Sequence, residues 1–144
     1  MATIPGLPTH LTLEIVTPDR SVVAERVDEV EIPGAEGHFG VLPGHTPLLA
    51  ALKVGELWFR KGTEKYYLSI AFGFAEVLPD RVTILAELAE RADEIDVARA
   101  EAAKRRAEER IAKPSPDMDF ERARLALLKS LVRLQVSTRA RTRV

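Results

Sequence analysis

A β-sheet domain of sandwich or barrel type, followed by an antiparallel helical hairpin, is the fold this sequence predicts. Three observations carry that expectation. Up to about Leu88, apolar residues alternate or fall in short β-rich runs broken by Gly and Pro every ten or so positions, the pattern of an all-β domain. Residues 94–112 then contain no Gly or Pro and are rich in Ala, Glu, Arg and Lys, all good helix formers. Charge divides at the same place: residues 1–90 hold 7 basic and 13 acidic side chains, whereas residues 91–144 hold 14 basic and 9 acidic ones.

Taken in order, Pro5, Gly6 and Pro8 predict a loose start. Residues 11–16, LTLEIV, make a first strand ended by Pro18-Asp19. Val30-Glu31-Ile32 runs into Pro33-Gly34, and Leu57-Trp58-Phe59 leads to the turn Lys61-Gly62-Thr63. Residues 66–70 follow, and Glu76-Val77-Leu78 turns at Pro79-Asp80 into a last strand over 82–85. In the first helix, Ile95, Ala98 and Ala102 recur at helical spacing, as do Ala100, Ala103, Ala107 and Ile111. Asp93 and Asp96 stand where free backbone N–H groups and the helix dipole favour an anion.

Pro114 and Pro116 end this helix, because each lacks an N–H and pushes its predecessor out of the α region. A second helix is expected over 118–138, with Ala123, Leu127, Leu131 and Leu134 on one stripe and Asp117 or Asp119 as cap. The two make an antiparallel hairpin. Alanines let helix axes approach but bury little area, so the hairpin is expected to be the weaker part. Domains are accordingly expected at 1–90 and 91–144, with helices at about 94–112 and 118–138.

Composition narrows function. The chain has no cysteine, which removes disulfides, thiolate metal sites and cysteine nucleophiles and suits a reducing compartment. No basic region followed by an apolar core opens the sequence, so no export signal is expected. Residues 41–52 form the longest weakly polar stretch, and prolines and a histidine interrupt it. It is too short to cross a bilayer of ~30 Å. A soluble protein able to dock on a membrane complex is expected. From Phe120 onward seven basic residues stand against the single acid Glu121, a basic arm that suggests an acidic partner. Few aromatics accompany its arginines, which argues against nucleic acid.

Residues 36–49, EGHFGVLPGHTPLL, concentrate three glycines, two histidines and two prolines. Gly37, Gly40 and Gly44 fit neither the dinucleotide fingerprint nor the Walker loop. His38 and His45 lie seven apart in an expected loop with no third ligand at a recognised spacing, so no metal site is expected. The serines lie in no nucleophile elbow, so no catalytic residue is assigned. On local chemistry, the glycines supply backbone angles for a tight connection between strands.

A resemblance gives these residues a role. GAEGHFGVLPGHTPLLAAL, followed by YLSIAFGFAEVLPDRVTILAELAERADEIDVARA, resembles the epsilon subunit of the bacterial rotary ATP synthase. The corresponding family blocks are an EG-x-x-G-x-x-PGH-x-PL loop, a GGF-x-EV strand, a VTILA strand and an (I/L)D-x-x-RA helix start. DFERARLALLKSLVRLQV resembles the second of two C-terminal helices. The resemblance implies a flattened ten-stranded β-sandwich followed by the hairpin. It also implies a non-catalytic place in the central stalk, on the cytoplasmic face of the bacterial membrane. There the sandwich would bind the gamma subunit and rest on the c-subunit ring through a loop at 36–40, with Glu36 and His38 as docking residues. One departure is Ala71-Phe72-Gly73, where the family commonly has Ser-Gly-Gly; Phe72 is expected to pack rather than bend.

The resemblance further implies a hairpin with two arrangements, folded or extended into the catalytic alpha/beta head, where it hinders ATP hydrolysis. In the extended state Arg122, Arg124, Lys129 and Arg133, with Arg139, Arg141 and Arg143, would meet an acidic segment of beta. Cofactors are not required, but a regulatory ATP is implied. Glu90 and Asp96 would face its adenine, and Arg99, Arg106 and Arg133 its ribose and phosphates, with Ala100 and Lys129 also in the site. Arginine suits phosphate because its planar fork donates two bonds at once. Lys129 stands where tight-binding members have arginine.

Overall fold

The structure, a computed structural model, describes residues 6–141. Of the expected loose start over the first eight residues, 1–5 lie outside the described residues, as does the basic residue Arg143. The chain divides into two compact units, Met1–Arg91 and Ala92–Val144.

The first unit is a single sheet of seven strands: β1 (Leu11–Val16), β2 (Ser21–Val27), β3 (Glu29–Gly34), β4 (Gly37–Val41), β5 (Leu48–Lys61), β6 (Glu64–Leu78) and β7 (Arg81–Arg91). Their spatial order is β2-β1-β7-β6-β5-β3-β4. All neighbours are antiparallel except β1 and β7, which pair in parallel from Thr12↔Arg81 to Val16↔Leu85. The sheet folds over itself, so that β2 also approaches β5 and β7. The enclosed core includes Leu11, Leu13, Ile15, Leu57, Phe59, Leu68, Ile70 and Ile84, none of which is exposed. Phe59 stacks on Tyr66 with ring centroids 5.1 Å apart.

Seven strands, rather than the expected ten, suffice because three of them bend. In β5 the buried positions are odd at Leu57 and Phe59 but even at Leu52. In β6 they are even at Leu68 and Ile70 but odd at Ala75 and Val77. In β7 they are even from Val82 to Ala86 but odd at Ala89. A strand alternates faces strictly, so each of the three must change phase once. The ladders show where. Leu52↔Gly73 and Val54↔Ala71 pair, but Lys53 and Phe72 do not; Gly73↔Ala86 and Ala71↔Leu88 pair, but Phe72 and Glu87 do not. At the centre of this row Phe72 has φ 59°, and Gly73 beside it has φ 128°. Each bent strand therefore serves both layers of the sandwich. Contrary to expectation, Phe72 is itself the bend.

Gly73 is fixed by space as well as angle. A Cβ there would lie 2.0 Å from the carbonyl oxygen of Leu85, well inside contact distance.

The second unit comprises a 3-10 turn (Ala92–Glu94), helix α1 (Val97–Ala112) and helix α2 (Phe120–Arg141). Asp96 caps α1, its carboxylate accepting the N–H of Arg99 at 3.0 Å. Asp119 does the same for α2 through the N–H of Arg122 at 3.1 Å. The helices meet along small side chains: Ala100 and Ala107 on α1, and Ala123, Ser130 and Ser137 on α2, are buried. These recur every seven residues. The expected stripe through Leu131 is displaced, since Leu131 is 43% exposed. Both buried hydroxyls are satisfied inside α2, Ser130 donating to the Ala126 carbonyl at 2.8 Å and Ser137 to that of Leu134 at 2.7 Å. Serine therefore acts here as a slightly larger alanine.

Candidate functional site

Within the glycine–histidine stretch, Gly37–Val41 is an edge strand rather than a loop, whereas residues 42–47, with His45, form the expected connection. Pro33 pairs with His38 and Gly34 with Gly37, so a two-residue turn at Ala35 and Glu36 closes a β3–β4 hairpin. Gly37 opens β4 with φ 132°, an angle that L side chains rarely adopt. Glu36 and His38 are both exposed, one at the turn and the other on the outer strand. Gly55 makes room for Pro33, the partner of His38: a Cβ there would lie 2.7 Å from Pro33 Cβ, while His38 Nε2 would sit at an ordinary 3.7 Å. Beside the hairpin runs a groove of about 480 Å³, lined by residues 34–39 and 48–51. His45 is engaged elsewhere, its Nδ1 lying 2.6 Å from the Thr46 carbonyl oxygen.

A second feature of this unit escapes the sequence reading. Ala51, Phe74 and Leu85 are direct neighbours across β5, β6 and β7, and all three face solvent. Phe74 and Leu85 are each 56% exposed, and Leu49, next along β5, is 71% exposed. An exposed apolar patch of this kind marks a protein contact more often than a solvent face. The signal was present as alternation in FAEVL and TILAE, but the outward phase could not be told from the inward one.

A third feature is a charged net at one edge. Glu25 on β2 receives Lys61 Nζ at 2.9 Å on one carboxylate oxygen and Arg91 Nη2 at 3.4 Å on the other. Arg91 Nε also donates to the Val22 carbonyl at 3.3 Å. The hydrogen bond from Lys61, above all, holds the Glu25 carboxyl below the ordinary carboxylate value; partial burial opposes this and Arg91 adds to it. The same bond raises Lys61.

The residues expected around a nucleotide divide between the units. Glu90, half-buried on β7 opposite Ser69, belongs to the sheet unit. On α1, Arg99 and Arg106 are exposed and, seven residues apart, share a face. Ala100 is fully buried in the seam, so its backbone alone could approach a ligand. Asp96 already spends one oxygen on its cap. Lys129 and Arg133, one turn apart on α2, are half-buried. Arg122 and Arg124 are exposed, and Arg124 lies 3.9 Å from Glu121.

These two units coincide with two known domains. Residues 10–92 match the beta-sandwich domain of the ATP synthase Delta/Epsilon chain, and residues 93–138 match that chain's long alpha-helix domain. The chain belongs to the ATP synthase delta/epsilon family. It is 54% identical over 127 residues to the ATP synthase epsilon chain of Syntrophobacter fumaroxidans, covering 88% of this chain and 95% of that one. It is 51% identical over 130 residues to ATP synthase epsilon chain 2 of Syntrophotalea carbinolica, covering 90% and 94%. A chain in the cryo-EM structure of the Euglena gracilis mitochondrial ATP synthase (OSCP/F1/c-ring, rotational state 1) matches with TM-score 0.78 at 25% identity, covering 98% of this chain and 87% of that one. Among the described residues, no helix is long and apolar enough to cross a membrane, and no three His, Asp or Glu side chains converge as a metal set.

Proposed function

We propose that this epsilon-family chain is a non-catalytic rotor subunit of an F-type ATP synthase. Its sheet unit binds the gamma subunit and rests on the c-subunit ring. The protein is thus peripheral, at the cytoplasmic face of the membrane, and helps couple ion transport to ATP synthesis. The observation that carries this reading is the exposed row Ala51–Phe74–Leu85 with Leu49 beside it. A rigid sheet face gives a rotor contact that does not yield under torque, and apolar neighbours in register can pack on a partner with little loss of side-chain entropy. Phe74→Glu with Leu85→Glu should abolish co-purification with gamma while leaving the isolated subunit folded. Retained co-purification would move the gamma contact to another face. Exposed Glu36 and His38 at the β3–β4 turn are assigned to the c ring, and His38→Asp should weaken coupling without loss of gamma.

The helical unit is assigned the second role, a brake on ATP hydrolysis. It packs as a unit of its own, and its seam of Ala and Ser buries little area, so the contacts it must give up to change posture are few. Arg122, Arg124, Lys129 and Arg133 then meet the acidic segment of beta. ATP favours the folded posture only so far as it binds that posture better than the extended one. Arg99 and Arg106 on one helix face, and Lys129 and Arg133 on the other helix, are its phosphate donors. Titration calorimetry on the isolated subunit should show heat at millimolar ATP that Arg99→Ala removes; no heat would retire the nucleotide role.

A further inference from the structure

We propose that Glu25 is a positioning residue: by holding Arg91, it confines bending between the two units to the single link Arg91–Ala92. The inference rests on the helical unit being mobile and names where that motion begins.

Strand β7 is supported unevenly. Its first half, Arg81 to Leu85, lies between β1 and β6, because the parallel ladder with β1 ends at Val16↔Leu85. Beyond that point the backbone ladder continues on the β6 side alone, as far as Leu68↔Arg91. A strand end held along one edge frays readily. The side chain of Arg91 supplies a hold on the other side. It crosses to β2, which is not β7's neighbour in the sheet, and reaches both the Val22 carbonyl and the Glu25 carboxylate. Planar guanidinium suits such a two-point grip. The other Glu25 oxygen receives Lys61 at 2.9 Å, which leaves the first oxygen to Arg91.

The next residues are committed to the other unit. The 3-10 turn Ala92–Glu94 packs against α2, Ile95 is buried, and Asp96 is the α1 cap. Arg91 is thus fastened to the sheet and its successor to the hairpin. Along the backbone the change of allegiance falls at Arg91–Ala92, which gives the moving unit a fixed pivot instead of a loose tether.

Hydrogen exchange on the full-length subunit tests the idea. In Glu25→Gln the amides of residues 86–92 should exchange at least about tenfold faster than in the unchanged protein, while those of Leu68 and Ile70 keep their rates. Arg91→Gln should do the same. Lys61→Ala, which leaves the Arg91 grip in place, should not. Raising salt to about 1 M, where the screening length falls to ~3 Å, should speed these amides in the unchanged protein and leave Glu25→Gln unaltered. Unchanged rates over 86–92, or a rise spread evenly through the sheet, would overturn the proposal. The brake is read separately, as ATP hydrolysis by the reconstituted complex with and without residues 93–144, so its failure is distinguishable.

Discussion

Asp96 accepts the backbone N–H of Arg99 at 3.0 Å, so the two most polar residues of the motif IDVARA are joined at once as cap and capped. Any nucleotide role for Asp96 is added to this local one. Removing the cap by Asp96→Ala should cost about 1 kcal/mol of helix stability, seen as faster exchange over the first turn of α1. Asp96→Asn keeps the acceptor and should cost much less. Comparing the two by calorimetry with ATP separates the loss of a charge from the loss of a helix end.

Phe72 at φ 59° pays for its left-handed backbone with steric strain of roughly 1–2 kcal/mol. Phe72→Gly removes that strain but also the ring's contacts, and Gly adds freedom to the unfolded chain. The expected net result is a gain of up to about 1 kcal/mol in urea unfolding. At the next position the sign reverses: Gly73→Ala, with its Cβ 2.0 Å from the Leu85 carbonyl, should prevent the corner from closing and lower soluble yield sharply.

Ser130 tests the helical seam. Its hydroxyl already bonds within its own helix, so Ser130→Ala should be neutral or slightly stabilising. Ser130→Leu pushes the helices apart and should cost ~1–3 kcal/mol, as overpacking does. The loss should appear in exchange from α1 and α2, with the sheet amides unaffected.

Glu25 makes a pH prediction whose direction is fixed. Its folded-state carboxyl lies below the usual value, chiefly through Lys61. The unfolded chain therefore binds a proton first on acidification, and the stabilisation is full above the usual carboxylate range and fades as pH falls through the lowered value. Glu25→Gln should cost roughly 0.5–1 kcal/mol near pH 7, the range of a solvent-accessible pair, and less near pH 3. Urea midpoints for both proteins at the two pH values measure it.

The sequence disclosed some of this and hid the rest for physical reasons. The switch from period two to period 3.6 after Leu88 placed sheet and helices in the right order. Asp119 was legible as one of two candidate caps, with Asp117, because acidic residues beside a proline break have few other uses. Ser21–Val27 went unread because SVVAERV alternates poorly, and Gly37–Val41 because glycine and histidine resemble turn letters even where an edge strand tolerates them. The long strands were seen only as fragments: a bend at Phe72 breaks alternation, so one strand reads as two with an irregular gap. The alanines of the seam, Ala100, Ala107 and Ala123, were legible, but its serines were missed because serine counts as polar until its hydroxyl is seen turned back on its own helix. At the surface, Phe74 and Leu85 went unassigned, since alternation alone does not say which face of a strand turns outward.

The shared corner of β5, β6 and β7 has a further consequence. Because Lys53, Phe72 and Glu87 stand in one row, losing a single residue from any one strand between the corner and its turn would invert that strand alone, thrusting its greasy side into water. Length changes in this sheet must therefore come as matched sets across three strands, or be confined to the hairpin ends at Gly62 and Asp80.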